Sequence, residues 1–224
     1  MGTDISFVVF NEKKEYASML ELQEKTREEV IAKKHNGVIF FLEHEDVYTV
    51  GLRGKDNDFK DISAINRENI PVVKIRRGGE VTWHGPGQLI IYPVINFRKA
   101  GFRSIKEFVS FIGNSIADVL RNNYGISSAR WSDDKPGVWV DDRKIAFVGL
   151  HFRKFVPVHG FSLNLDPDIN RFSTIIPCGI PECKITSIFN ETGTPVRMEE
   201  VCGHILDIFK TGIPDIYRNE MEGR

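Results

Sequence analysis

The chain has 224 residues, 30 basic and 31 acidic side chains, and a formal net charge of −1. This length suits one large α/β domain or two small ones. The balanced charge excludes a bulk electrostatic footprint for nucleic acid or an anionic membrane. No apolar run approaches the roughly 20 residues that span a bilayer, and the first residues lack a basic stretch followed by an apolar core. We therefore expect a cytosolic protein without nucleic-acid or membrane partners.

The first half of the chain predicts strands and one long helix. Ile5 to Phe10 predicts a strand, and apolar residues at helical spacing from Lys13 to Lys34 predict an amphipathic helix. Gly37 to Leu42 and Val47 to Val50 predict two more strands. Gly51 to Lys55 superficially resembles a phosphate-binding loop, but it lacks the Gly-Lys-Ser/Thr ending that such a loop needs.

The second half predicts a capped helix followed by β-structure. Ser104 and Glu107 form a capping box for a helix that ends near Gly125. Val138 to Val140 and Lys144 to Leu150 predict a β-hairpin.

Two more elements complete the predicted order. His159 to Leu165 predicts a strand, and Thr194 followed by Pro195 predicts the start of a closing helix. Strands and helices mix without the regular alternation of a doubly wound fold. The pattern favours an α+β class with mixed β-sheets and helices packed on one side.

The stretch from Arg76 to Tyr92 is the strongest candidate for a binding site. It lies between two predicted strands and holds four glycines and one proline within ten residues. Glycine is used where the backbone takes positive φ or approaches a bound group. Polar side chains that can orient a substrate accompany this backbone, namely Arg77, Thr82, His84 and Gln88. The stretch therefore predicts a ligand-binding loop.

Cys178 is the candidate nucleophile, because its position between a proline and a glycine exposes the sulfur to an acyl group. An ordinary thiol has a pKa of about 8.5, so it needs a neighbouring cation or base at neutral pH. Lys144 begins an apolar strand and could supply both the charge and the proton acceptor. His84 and His159 are alternative partners, as in Cys/His hydrolases. The residues alone do not rank these three.

The cysteines also raise the question of metal binding. Three cysteines in a reducing compartment favour free thiols over disulfides. Cys178, Cys183, Cys202 and His204 supply metal-ligand types, but their spacing matches no common zinc pattern. We therefore predict no metal site.

Several motifs, in this order along the chain, resemble the lipoyl(octanoyl) transferase family. They are Arg77-Gly-Gly-Glu-Val-Thr-Trp-His-Gly-Pro-Gly-Gln88 with Tyr92, Pro136-Gly-Val-Trp139, Lys144-Ile-Ala-Phe-Val-Gly149, His159-Gly-Phe-Ser-Leu-Asn164, Pro177-Cys-Gly179 and Thr186-Ser187. The resemblance implies one catalytic domain over residues 1–224. It also implies the biotin/lipoate protein ligase-like fold, with mixed sheets and helices around an acyl-binding tunnel.

The resemblance also implies a set of site residues. Cys178 falls on the family's acyl-thioester cysteine, and Lys144 falls on the lysine that lowers its pKa. Trp83 stands where the family usually has a smaller aromatic residue, which bears on tunnel width and acyl-length preference. Substrate contacts carry over to three segments: Arg77, Gly78, Gly79, Glu80, Val81, Thr82, Trp83 and His84; Phe147, Val148 and Gly149; and Gly160, Phe161 and Ser162.

The implied activity is octanoyl transfer in lipoate biosynthesis through an acyl-thioester on Cys178. The donor is octanoyl-acyl carrier protein, and the acceptors are lipoyl domains of 2-oxoacid dehydrogenases and the glycine cleavage H protein. No cofactor is implied, a monomer is expected, and loop N–H groups with His84 are expected to stabilise the oxyanion. Carrier proteins and lipoyl domains are generally acidic, and a basic docking rim is expected among Arg53, Lys55, Arg76, Arg98, Arg153 and Lys154.

Two other functions fit parts of the sequence. An ATP-dependent lipoate or biotin protein ligase on the same fold would activate a free acid and would need no nucleophilic thiol. A non-catalytic module could hold a fatty acyl group with Cys178 as a bystander. The His-Gly-Pro-Gly-Gln stretch and the Pro-Cys-Gly turn argue against a ligase, and fast alkylation of Cys178 near neutral pH would argue against a bystander.

Overall fold

The computed structural model describes residues 5–213. No helix in this range is long and apolar enough to cross a bilayer. The elements are β1 (Ile5–Val9), α1 (Tyr16–Ile31), β2 (Gly37–Leu42), β3 (Val47–Val50), α2 (Ile62–Arg67), β4 (Val72–Lys74), β5 (Val81–His84), β6 (Gln88–Ile95), α3 (Ile105–Tyr124), β7 (Ala129–Ser132), β8 (Gly137–Val140), β9 (Arg143–Arg153), β10 (Val156–Asn164), β11 (Lys184–Ile185), α4 (Ile188–Thr192) and α5 (Met198–Gly212).

Two sheets of unequal size form the frame of the domain. The large sheet has the strand order β1-β2-β6-β10-β9-β8-β7, and β11 pairs with β9 outside this path. The β1–β2 and β9–β11 pairs are parallel, and the other pairs are antiparallel. In the small sheet, β3 lies between β4 and β5, parallel to the first and antiparallel to the second. The mixed α+β class is therefore confirmed.

The central strands of the large sheet are buried on both faces. Every residue of β6 is buried, as is typical of a strand covered from both sides. Leu89 and Ile91 join the core formed with α3 and α5, whereas Ile90 and Tyr92 join the core formed with α1. The expectation of helices on one side is therefore wrong, because α1 covers the opposite face.

Helix ends are predicted well where a side chain or a glycine caps them. Ser104 Oγ accepts a hydrogen bond from the Glu107 N–H at 3.0 Å, and Gly125 ends α3 with a φ of 67°. The predicted start of the last helix is wrong. The Thr194 N–H donates to Thr192 Oγ1 at 3.1 Å and so belongs to the end of α4, and α5 begins only at Met198.

Two hairpin turns connect β9 to its neighbouring strands, one at each end. The Asp141–Asp142 turn joins β8 to β9, since Val140 pairs with Arg143, and this confirms the predicted hairpin. A second two-residue turn, Lys154–Phe155, joins β9 to β10. Both of its residues have positive φ, 47° and 69°, which is the conformation of a type I′ turn.

The two sheets meet through a second, smaller core. Trp83 and Tyr48 of the small sheet pack there with Phe147 of β9 and with Phe172 from the 3₁₀ turn Ile169–Thr174. The rings of Phe147 and Phe172 stack with their centroids 5.3 Å apart. Loops that border this junction can therefore reach both sheets.

Gly113, in the middle of α3, tests the packing of that helix on β7. A Cβ at this position would lie 2.0 Å from Trp131 Cε3. Alanine is normally the better helix former by up to about 1 kcal/mol. We nevertheless expect Gly113→Ala to lower the free energy of unfolding by about 1–3 kcal/mol in urea titrations, because the indole must move aside.

The control for this prediction is Gly203→Ala on α5, where an added Cβ meets nothing within 4 Å. This variant should gain about 0.5–1 kcal/mol through its helix propensity. An equal gain in both variants would contradict the packing of α3 against Trp131.

Candidate active site

Cys178 lies at the centre of a tight 3₁₀ turn, Pro177–Gly179, where the two sheets meet. Its backbone has φ 56° and ψ 23°, a left-handed conformation that is uncommon for residues other than glycine. Gly179 follows with a φ of 67°, and a Cβ there would lie 3.2 Å from Glu80 Cγ. The turn thus holds a half-buried thiol against the Arg77–Glu80 loop, and such local strain is typical of functional positions.

Lys144 approaches this thiol from β9 through the interior of the protein. The lysine is 3% exposed, and its Nζ lies 3.4 Å from Cys178 Sγ and donates to the Pro136 carbonyl oxygen at 2.9 Å. The rings of Trp139 and Phe147 flank the ammonium, with centroids 5.3 and 5.2 Å from Nζ. Ring faces stabilise a desolvated cation, so these rings would stabilise a positive charge on Lys144 beside the sulfur.

Gly137 creates the space that Lys144 occupies. It has a φ of 151°, and a Cβ there would lie 2.4 Å from Lys144 Cε and 3.0 Å from Nζ. A side chain at position 137 would therefore displace the lysine from the thiol.

A cavity opens beside Cys178, between β5 of the small sheet and β9 and β10 of the large sheet. Most of the predicted substrate contacts line it. They are Arg77, Gly79, Glu80, Val81, Thr82, His84, Phe147, Val148, Gly149, Gly160, Phe161 and Ser162. The predicted contact Gly78 and the catalytic candidate Lys144 border a groove that adjoins this cavity at Cys178.

Trp83 lies behind the cavity wall and lines neither space. Its indole is 1% exposed, packs edge-on against Phe172 with centroids 5.5 Å apart, and donates from Nε1 to Asp46 Oδ1 at 2.9 Å. Thr82 and His84 lie on the opposite face of β5 from Trp83, and both line the cavity. The expected direct effect of Trp83 on tunnel width is therefore not supported by its position.

Three cavity residues were not among the predicted substrate contacts. Tyr16 lies in the predicted amphipathic helix from Lys13 to Lys34, Tyr92 belongs to a family motif, and His159 is a candidate partner of Cys178. All three line the cavity, and Tyr16 Oη lies 3.2 Å from His159 Nδ1. Tyr16 sits on an apolar helical stripe, which predicts core, and no local signal distinguishes it from a core residue.

A chain of hydrogen bonds fixes the protonation of His84. The Thr186 carbonyl oxygen can only accept, so Asn164 Nδ2 donates to it at 2.9 Å and presents Oδ1 to Gln88 Nε2, also at 2.9 Å. Gln88 Oε1 therefore accepts from His84 Nδ1 at 2.6 Å. His84 thus carries its proton on Nδ1, and its Nε2 is left as a hydrogen-bond acceptor.

This arrangement contradicts the expected role of His84 as a donor to an oxyanion. Burial, together with the neighbouring His44, lowers the pKa of His84 to about 3. The ring is therefore neutral near pH 7 and offers a lone pair, which an oxyanion repels. Thr82 and Ser162 also line the cavity, and their hydroxyl oxygens have no hydrogen-bond partner among the described residues.

Neighbouring histidines are neutral for the same reason. Burial lowers the pKa of His44 to about 4 and that of His159 to about 3. His44 Nδ1 lies 2.8 Å from the Lys14 carbonyl and so carries the proton, and Tyr92 Oη donates to its Nε2 at 2.7 Å. The described ring contacts of His84 and His159 are with Gln88 and Tyr16, whereas Lys144 contacts the Cys178 sulfur.

Arg77 brings a second buried cation to the cavity wall. It is 7% exposed, and burial lowers the pKa of its guanidinium. Its described hydrogen bonds reach only neutral acceptors, the Thr49 carbonyl and hydroxyl oxygens and the Gly78 carbonyl oxygen. These bonds tie the glycine loop to β3, and no described carboxylate forms an ion pair with the guanidinium.

The adjoining space, here called the outer groove, runs from Cys178 along one face of β9. Val148, Leu150 and Phe152 form its floor, and Val109 of α3 borders it. Glu80 lies at its inner end and forms an ion pair with Arg53 at 2.8 Å. The outer groove therefore offers a substrate an apolar floor that leads to the sulfur, with the Glu80–Arg53 ion pair at the end near Cys178.

The residues weighed as zinc ligands do not converge. Cys202 lies on α5 and is buried in the main core, whereas Cys178 lies at the sheet junction. His204 Nδ1 lies 3.2 Å from Asn123 Nδ2. Between residues 5 and 213, no three His, Cys, Asp or Glu side chains are placed to hold a metal ion.

Comparison with known proteins agrees with this geometry. Residues 15–210 match the lipoyl protein ligase A/B catalytic domain family. An octanoyltransferase of Pelobacter propionicus is 36% identical over 196 residues, which cover 88% of this chain and 90% of that protein. An octanoyltransferase of Geobacter sulfurreducens is 34% identical over 200 residues, with coverage of 89% and 81%.

Solved structures show the same fold at low sequence identity. A lipoate-protein ligase A bound with ATP superposes with a TM-score of 0.73 at 14% identity, covering 100% of this chain and 90% of that one. A putative lipoate protein ligase from T. acidophilum with bound lipoic acid gives a TM-score of 0.72 at 14% identity, with coverage of 98% and 89%. The chain has the biotin/lipoate protein ligase-like fold and belongs to the lipoyl protein ligase A/B catalytic domain family.

Proposed function

We propose that the protein is an octanoyltransferase of lipoate biosynthesis that carries the octanoyl group on Cys178. The observation that carries this proposal is the 3.4 Å contact between Lys144 Nζ and Cys178 Sγ at the mouth of the cavity. Octanoyltransferases 32–36% identical over most of the chain support the same activity. The ATP-dependent alternative is less well supported, because the ligase structures share only the fold at 14% identity.

The first half of the reaction moves the acyl group from a donor thioester to the enzyme. Lys144 accepts the Cys178 proton, and the thiolate attacks the carbonyl carbon of the donor. The bond between the carbonyl carbon and the donor sulfur breaks, and the departing thiolate takes the proton back from Lys144. Backbone N–H groups of the cavity loops stabilise the oxyanion.

The second half moves the acyl group from the enzyme to a lysine amine. The amine nitrogen attacks the octanoyl-Cys178 carbonyl, an amide forms, and the bond to Cys178 Sγ breaks. Lys144 receives a proton from the attacking amine and returns it to the Cys178 thiolate. One thioester is exchanged for another and then for an amide, so the sequence of steps needs no nucleotide.

The proposed acceptors are lipoyl domains, among them those of 2-oxoacid dehydrogenases and the glycine cleavage H protein. A fold neighbour from Thermoplasma acidophilum is described together with its E2 lipoyl domain, which supports this class of acceptor. The proposed donor is octanoyl-acyl carrier protein. The named groups all lie in one chain, so we propose that a cytoplasmic monomer with one catalytic domain is the active form.

Replacing the nucleophile should abolish the covalent intermediate. When wild-type protein is mixed with octanoyl-acyl carrier protein without ATP, intact-mass measurement should find one octanoyl adduct. Peptide mapping should locate this adduct on the peptide that contains Cys178. Cys178→Ser should show no adduct and should lose at least about 1,000-fold in turnover, because an unactivated hydroxyl is a poor nucleophile at neutral pH.

Cys183→Ser is the matched control, since Cys183 is a half-buried thiol on the same loop region and should leave the adduct in place. Modification of the lipoyl domain only with ATP and free octanoate would show instead that the protein is a ligase. Tight octanoate binding without adduct or transfer would indicate the non-catalytic module.

Lys144 should be required for its proton as well as its charge. Lys144→Met removes both, and Lys144→Arg keeps the charge but holds its proton at all accessible pH values. We expect both variants to lose about 100-fold or more in turnover. The measurement is single-turnover octanoyl transfer, with circular dichroism to check folding, and near-wild-type rates in Lys144→Arg would leave only an electrostatic role.

The protonation of His84 should be visible by NMR and should depend on Gln88. Nitrogen-15 labelling should show an unprotonated Nε2 from about pH 8 down to about pH 5, because the folded-state pKa lies well below the usual value of about 6.5. Gln88→Glu offers Nδ1–H a carboxylate and should raise the His84 pKa. A protonated, cationic His84 ring in wild-type protein at pH about 7 would refute the assigned hydrogen-bond chain through Asn164 and Gln88. It would also restore His84 as an oxyanion donor.

A further inference from the structure

The turn between β9 and β10 presents an aromatic side chain to solvent. Phe155 is 52% exposed, and its ring packs edge-on against the buried Phe97 with centroids 5.8 Å apart. The Arg98 guanidinium lies over both rings, 5.7 Å from the Phe155 centroid and 5.9 Å from the Phe97 centroid. An exposed aromatic ring beside an arginine is the composition of protein contact surfaces.

The backbone of this turn is strained. Lys154 and Phe155 have φ values of 47° and 69°, a conformation that Asn-Gly adopts easily and that a bulky side chain disfavours. An Asn-Gly turn would fit the same geometry better, so local stability does not explain Lys-Phe here. Strained residues of this kind often mark functional positions.

The exposed turn is also surrounded by positive charge. Arg98, Lys99, Arg153 and Lys154 are exposed and, with Phe155, form what is here called the basic tip. Among the described residues, Arg153 pairs with Glu28, while Lys99 Nζ donates to the neutral Asn36 Oδ1 at 3.2 Å. Arg98 and Lys154 form no ion pair with a described carboxylate, so the tip suits an acidic partner.

The outer groove connects the basic tip to the catalytic sulfur. Val148, Leu150 and Phe152 alternate along β9 and so lie on one face of the strand. Val148 borders the groove and the cavity, as does Cys178. Phe152 packs edge-on against Phe97 with centroids 5.7 Å apart, directly beneath the tip. The groove therefore leads from the thiol to the exposed turn.

The length of this path distinguishes the two substrates. The five-residue step from Val148 to Arg153 covers about 17 Å of strand. A lysine side chain reaches about 6 Å, whereas a pantetheine arm of roughly 14 bonds reaches about 18 Å. A lipoyl domain bound at the tip could not deliver its lysine to Cys178, but a carrier protein with a pantetheine arm could deliver its thioester.

We propose that the basic tip is the docking surface for an acidic acyl carrier protein, whose pantetheine arm lies in the outer groove during acylation of Cys178. The proposal rests on the proposed function and adds to it the surface on which the donor binds. The acceptor domain approaches Cys178 directly, so donor and acceptor use different surfaces.

The test compares two donors that share the same arm, octanoyl-carrier protein and octanoyl-pantetheine. The variant is Lys154→Asn with Phe155→Gly, which removes one charge and the aromatic ring while giving the turn its preferred residues. Acylation of Cys178 is followed by stopped mixing and intact mass. We expect kcat/KM with octanoyl-carrier to fall about 10-fold or more, and kcat/KM with octanoyl-pantetheine to stay within about 2-fold of wild type because no carrier contact is involved.

A stability measurement separates docking from folding. The variant should unfold at a temperature no lower than wild type, because the turn is relieved of strain. Arg98→Gln should reproduce the donor-specific loss, and Arg67→Gln, an exposed arginine on α2 of the other sheet region, should not. Added salt should reduce the advantage of the carrier donor in wild type more than in the double variant.

Three results would overturn the docking surface. An equal loss with both donors would show that the turn only shapes the groove, and no loss with the carrier would place docking elsewhere. A loss confined to transfer from preformed octanoyl-Cys178 would assign the tip to the acceptor. Failure of wild-type protein to be acylated by either donor would refute the proposed function, and the docking surface with it.

Discussion

The contact between the Lys144 ammonium and the Cys178 sulfur is the interaction on which the rest of the site depends. A buried ammonium without compensation costs several kcal/mol, and here the nearest compensation comes from one carbonyl oxygen, two aromatic ring faces and the thiol. No described carboxylate forms an ion pair with Lys144. The Cys178 sulfur, 3.4 Å away, is therefore the nearest described side-chain atom that can carry a negative charge beside it.

The cavity beside this dyad is polar but uncharged on its histidine side. His44, His84 and His159 are all held neutral by burial. Their ring nitrogens contact the Lys14 carbonyl oxygen, Gln88 Oε1 and the Tyr16 hydroxyl, respectively. Positive charge is concentrated instead in Arg77 and Lys144. The three rings therefore do not accept protons near pH 7.

Local patterns were sufficient for much of this structure. The capping box at Ser104, the glycine at position 125 and the hairpin before Lys144 depend on residues close in sequence, and each was predicted correctly. The proximity of Lys144 and Cys178 is different, because 34 residues separate them. The family motifs supplied that pairing, and residue chemistry alone left His84 and His159 as equal candidates.

The remaining features could not be derived because they depend on the facing of strands and on distant contacts. The sequence of a strand shows which residues alternate but not which face meets a cavity. It therefore could not show that Thr82 lines the cavity and Trp83 does not. The helical periodicity of α1 likewise does not predict which face of the large sheet the helix covers. The protonation of His84 is set by Asn164 through Gln88, a contact across 76 residues.

β9 fixes the spacing between several features of the site. It carries Lys144 near its start, the cavity wall at Phe147 and Val148, the groove at Phe152 and the exposed turn just beyond its end. Inserting or deleting one residue would turn every later side chain to the opposite face, whereas two residues would preserve the faces and change the spacing by about 7 Å. With the faces preserved, the distance between Lys144 and the exposed turn can therefore change only in steps of two residues.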